Sequence, residues 1–282
     1  MYLIYRKWMF FANFIIASFI NTSLLKAHEF WIEPKSYVIK SGEPLMANLH
    51  IGENFVGDDL VYNNNEFSRF SIITEIGNQK ILGRLGDRPA LNILPKYSGV
   101  SIIIYQSKPT YLTYDEFEKF KIFSERTGFA NIPREHTKKG LPRKGFTESY
   151  TRYAKSIVIV GVNKGSDQRV GLELEFVVDG SLQKNNSRSQ RTITITLFYQ
   201  NKIYPNATVQ IFSKSKNGLV TDFSKKTDIK GEFQIGNTPN TVFLINSVIL
   251  RPMTPKTINN NAVWESLWAS TTFQTAIQKN SN

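Results

Sequence analysis

Apolar and polar residues alternate along most of this chain with a period of two. Leu45, Ala47, Leu49 and Ile51 alternate with Met46, Asn48 and His50 between Gly42-Glu43-Pro44 and Gly52, which predicts a half-buried strand. Residues 101–105, 156–160 and 172–178 are β-branched or alternating runs between Gly- and Pro-containing turns and predict further strands. Residues 192–199, 207–213, 231–235 and 242–250 repeat that pattern at close, regular spacing, and Thr227 to Phe233 reads as a hairpin. Together they predict an immunoglobulin-like or transthyretin-like sandwich. Trp264-Glu265-Ser266-Leu267-Trp268 reads as a last strand with both tryptophans on one packed face.

One segment follows a different period. Thr113-Tyr114-Asp115-Glu116 matches a capping box, and Phe117, Phe120 and Phe123 recur at helical spacing up to Gly128. That predicts one amphipathic helix of roughly 13 residues, its aromatic stripe packed on a sheet. Residues 129–150 carry no clear period and read as a long irregular loop, and residues 179–190 are almost wholly polar. The expected fold is therefore mainly β, with two β-sandwich domains. The first covers 28–178 with one helix and the long loop, 179–190 form a linker, and the immunoglobulin-like second covers 191–282.

The first residues change the picture of compartment. Arg6 and Lys7 precede an apolar stretch over 8–20, and a more polar approach ends at Ala27. Residues 1–27 thus read as a cleavable export signal and the protein as periplasmic. Leu25 at the −3 position is a weak point, and an uncleaved anchor over 8–25 is the rival reading. Losing a leader that carries Arg6, Lys7 and Lys26 but no acid takes the formal charge from +12 to +9. The chain holds no cysteine, which excludes disulfides, thiolate metal sites, a cysteine nucleophile and a lipoprotein anchor.

The chemistry turns on three histidines. Cleavage after Ala27 leaves His28 first, and its free α-amine and imidazole form a two-nitrogen chelate suited to Ni(II), Co(II) or Cu(II). His136, in the irregular segment, is the preferred second ligand, and His50, on the strand face that carries Asn48, is the third candidate. Glu29, Glu33, Glu53, Asp58 and Asp59 flank the same region and offer hard ligands or hydrogen-bond acceptors for histidine; a solvated acidic edge is their plainer reading. Residues 126–155 hold eight bases against Glu135 and Glu148, a patch that would attract anionic surfaces; Arg152 or Lys155 paired with an acid beneath the loop is a structural alternative. The export context and the lack of a recognisable module set nucleic acid aside. No nucleophile elbow, phosphate loop or dinucleotide fingerprint occurs.

His28-Glu29-Phe30-Trp31-Ile32-Glu33-Pro34 is similar to the start of a domain-of-unknown-function family of exported bacterial proteins, labelled periplasmic component of an ABC-type cobalt or nickel uptake system. The resemblance continues at residues 83–90 and 112–117, then at Gly140-Leu141-Pro142, 150–155 and 264–270, so it spans nearly all of 28–282. It implies an export signal ending just before His28, metal binding and an inner-membrane metal transporter as partner. The expected function is a non-catalytic periplasmic metal-binding protein for nickel, cobalt or copper uptake. A copper oxidative enzyme built on a histidine brace and a metal-free structural or adhesion module are the alternatives.

Overall fold

The computed structural model describes residues 29–179, 192–253 and 262–275. It opens with β1 (Glu29–Pro34), β2 (Val38–Ile39), β3 (Leu45–Glu53), β4 (Val56–Leu60) and β5 (Phe67–Thr74). Next come β6 (Gly77–Lys80), β7 (Leu91–Ile93), β8 (Gly99–Ser107) and β9 (Thr110–Tyr114). Two helices, α1 (Phe117–Arg126) and α2 (Ile132–Lys138), lead into β10 (Phe146–Val160). β11 (Leu174–Val178), β12 (Thr192–Tyr199), β13 (Lys202–Ile203) and β14 (Thr208–Lys214) follow. The last elements are β15 (Val220–Lys226), β16 (Glu232–Gly236), β17 (Val242–Pro252) and β18 (Ala262–Gln274).

These strands form three sheets. The largest has ten strands in the order β15-β14-β17-β18-β10-β8-β5-β6, with β2 and β9 also paired to β10. β1-β3-β4, with β7 on β3, makes a second sheet, and β11-β12-β13, with β16 on β12, makes a third. Side-chain alternation distributes the central sheet between them. On β8, Ile102 and Ile104 pack with Leu174, Phe176, Ile193 and Ile195 of the third sheet, whereas Ile103 and Tyr105 pack with Ile32, Leu45 and Leu49 of the second. On β10, Tyr153 and Ile157 face the third sheet, and Ala154, Val158 and Val160 face the second. A strand covered on both faces reads as a near-continuous apolar run, as Ile157-Val158-Ile159-Val160 does.

The fold is mainly β, and both sandwich packings use the same central sheet. β10 pairs with β18 in parallel from Thr147 to Ser156, and β11 pairs with β12 in antiparallel register. Strands on either side of the polar 179–190 segment are therefore neighbours; residues 180–191 themselves lie outside the described part.

Two local expectations need correction. The helix does not begin at Thr113, because Thr113 and Tyr114 pair with Thr147 and Phe146 in the β9–β10 ladder. Glu116 then takes the N-cap position with extended backbone and no side-chain capping bond, so the ladder overrides the capping box. Likewise 129–150 is not one irregular loop, and the protein has a second helix there: α2 starts with Pro133 in its first turn, a standard helix-start signal, and β10 starts at Phe146. The aromatic stripe packs as expected: Phe117, Phe120 and Phe123 join Phe146 and Trp264 in one cluster, and Trp268 stacks on Phe123 at 5.4 Å.

Candidate functional site

The three candidate ligands have different fates. His28 lies outside the described residues. His136 is on α2 and fully buried among Phe146, Phe117 and Phe120, with ring centroids 4.4, 5.1 and 5.5 Å away. The Trp264 indole N–H donates to its Nδ1 at 2.8 Å, and its Nε2 lies 2.9 Å from the Pro142 carbonyl oxygen. An indole nitrogen can only donate, so Nδ1 accepts and Nε2–H donates to Pro142: the ring is the neutral Nε2–H tautomer with both nitrogens engaged.

His50 is on β3 between Trp31 of β1 and Asp59 of β4. It stacks on the Trp31 ring at 5.1 Å, with Nδ1 2.9 Å from Asp59 Oδ1 and Nε2 3.3 Å from Glu33 Oε2. Lys214 holds the other Glu33 oxygen at 2.7 Å. The two carboxylates engage different nitrogens of the ring, so as placed they bracket the imidazole. His50 and His136 belong to separate clusters, and among the described residues no group of three or more His, Asp or Glu side chains is placed to hold a metal ion.

Two of the flanking acids meet elsewhere. The β1–β3 register sets Glu29 against Gly52, one residue before Glu53, and the turn at Asn54 and Phe55 has φ of 52° and 60°, the left-handed pair of a tight hairpin. Arg126 in the last turn of α1 reaches Glu29 at 3.8 Å and Glu53 at 3.4 Å. The β14–β15 hairpin closes the far side with Gln210, Asp222 and Ser224. The result is a cleft of about 360 Å³ lined by three carboxylates and one guanidinium, with Glu29 buried. Its excess of acid suits a cation. Glu29 and Glu53 were legible as candidates; Arg126 and Asp222 come from distant elements that no local pattern tied to β1.

Sequence reasoning also missed a buried carboxyl. Glu148 accepts from the Tyr114 hydroxyl at 2.8 Å and from Ser266, which in turn accepts from the Trp268 indole at 2.9 Å. Complete burial pushes its pKa up to about 7, although the bonds from Ser266 and Tyr114 pull the other way. Lys155 pairs with Asp167 at 2.8 Å in the interior and donates to the Phe176 and Gln168 carbonyls. The basic stretch thus supplies a structural ion pair in place of one more surface charge.

Comparison with known proteins gives a family without an assigned activity. The model of a family described as "Domain of unknown function (DUF4198)" matches residues 25–249. No curated protein matches this chain. Among solved structures, the D0-D1 domain of intimin is 12% identical, with 86% of this chain and 97% of that one covered at a TM-score of 0.21. A tetra-tandem repeat from the extending region of a large adhesion protein is 11% identical over 87% of this chain and 49% of that one, with a TM-score of 0.18. Scores this low carry no argument about function.

Proposed function

This chain belongs to the DUF4198 family of unknown function, and from its side chains we propose that it is a non-catalytic, exported protein that binds a divalent transition metal at the start of β1. Nickel and cobalt are the leading ions and copper the third. The anchor is the α-amine and imidazole of His28, set free by removal of residues 1–27. One observation carries this reading: the residue that follows His28 is a buried carboxylate, Glu29, lining an acidic cleft with Glu53 and Asp222. Nitrogen donors from the terminus and oxygen donors from the cleft would make a mixed set suited to a borderline ion. Arg126 holds Glu29 and Glu53 in place and keeps the cleft's charge from being wholly negative. Transfer to an inner-membrane metal transporter is the role that fits such a carrier.

A histidine-brace oxidase draws less support, because both ring nitrogens of His136 are engaged in the core and those of His50 face Asp59 and Glu33. The experiment is calorimetric titration of residues 28–282 with Ni(II), Co(II) and Cu(II), beside His28→Ala and a form that retains Ala27. Expected is a single tight site lost in both altered proteins, since one lacks the imidazole and the other caps the amine. Affinity should also fall as pH drops below the amine pKa of roughly 7.7–8.0. Equal affinity in all three forms refutes the proposal, as does an exported protein whose first residue is not His28.

A further inference from the structure

Arg152 lies on the β10 face turned toward the second sheet, and burial lowers its pKa below the ordinary guanidinium value. Among the described residues its guanidinium donates no hydrogen bond and has no carboxylate within ion-pair distance. Its Nε is buried without an acceptor, and its close contacts are two aromatic rings, Tyr150 at 5.0 Å and Phe30 at 5.8 Å. The side chain is half-buried with its Nε sealed from water, and a buried donor left without an acceptor is costly. Natural proteins keep such groups paired, or keep them for a ligand.

Arg152 also lines a cleft of about 280 Å³ between β1, β4, β5 and β8. Phe30, Leu60, Phe67, Tyr105 and Tyr150 form an apolar and aromatic part of its wall. Glu66, exposed to solvent, is the one acid in the lining, and no lysine or second arginine joins Arg152 there. An apolar cavity of about 150 Å³ accommodates benzene, so this space admits one ring and a small polar group. Aromatic walls with one convergent charged group are the usual make-up of a small-molecule site.

We infer that this cleft binds a small monocarboxylate with an apolar or aromatic body, its carboxylate against the Arg152 guanidinium and its body against Phe30, Phe67, Tyr105 and Tyr150. A planar carboxylate matches the guanidinium fork. A phosphate dianion fits less well, because the lining offers a single cation and places Glu66 nearby. This site is separate from the acidic cleft. Neighbouring residues of β1 serve the two, Phe30 here and Glu29 there, and the Glu29 carboxylate acts on the Arg152 charge through space; a divalent metal ion and benzoate, one probe for each site, tell the two apart.

The test uses the whole purified chain and benzoate as the probe, read by saturation-transfer NMR and calorimetry, with benzyl alcohol and inorganic phosphate as comparisons. Benzoate is expected to bind saturably and benzyl alcohol at least tenfold more weakly. Arg152→Met should lose at least tenfold in benzoate affinity, and Val61→Trp, which fills the cleft and keeps the cation, should lose as much. Two variants and a charge-free probe keep the test decisive if one variant does not fold. Absence of saturable benzoate binding overturns the inference, as does unchanged affinity in the folded variants. Displacement of benzoate by equimolar phosphate overturns the monocarboxylate assignment.

Discussion

Glu148 should make this protein lose stability as the solution turns from acidic to neutral. Its carboxyl is raised from an ordinary value of 4.5 to about 7 in the folded state, chiefly by burial. Between those two values the native state holds a proton that the unfolded chain has released, so stability falls as pH rises. The contribution is fully present below about pH 4.5 and lost once the pH passes about 7. At 1.36 kcal/mol per pH unit, the loss over that window is about 3 kcal/mol. Glu148→Gln keeps the shape, can accept from Ser266 and can donate to the Tyr114 oxygen, and it has no charge to bury. Urea unfolding of both proteins at half-unit steps from pH 4.5 to 8 isolates the effect, because every other titrating group cancels in the difference. Relative to the variant, wild type should weaken by about 3 kcal/mol across the series. A constant difference at all pH values would refute the reasoning.

Two further changes probe the interior. Lys155→Met should cost about 3–5 kcal/mol in denaturant stability, because it strands Asp167 as a buried charge; adding Asp167→Asn should recover part of that loss, and a cost below about 1 kcal/mol would show the pair to be dispensable. His136→Phe should lower stability by about 1–3 kcal/mol for each hydrogen-bonding group left without a partner, the Trp264 indole and the Pro142 carbonyl, while leaving metal titration unchanged.

Period-two alternation carried the strands and the mainly β class because it depends on local side-chain direction alone. Where it failed, a non-local bond outweighed a local preference. Thr113 has the right chemistry to cap a helix, yet its place in the ladder opposite Thr147 takes it into a strand. His136 looked like a free loop ligand, since nothing near it in sequence reveals that Trp264 donates to it from 128 residues away. His50 was legible as a residue off the core face, and Glu33 and Asp59 as its flanking acids. That they bracket the ring follows from the β1–β3–β4 pairing. The Arg152 cleft left no local signal in the sequence, since β10 contributes only Tyr150 and Arg152; its other walls include residues of β1, β4, β5 and β8, which only the assembled sheets bring together.

The position of β18 bears on how the chain becomes folded. Residues 262–274 are inserted between β10 and β17, at the middle of the ten-stranded sheet, with the parallel partner more than a hundred positions earlier. Until that segment has left the ribosome, β10 and β17 have nothing between them and the two flanks of the sheet cannot be joined. So widely separated a pairing is slow to find and keeps the nascent polypeptide open until residues 262–274 are available. If the chain is exported as proposed above, such late closure would leave it threadable until residues 262–274 have been made.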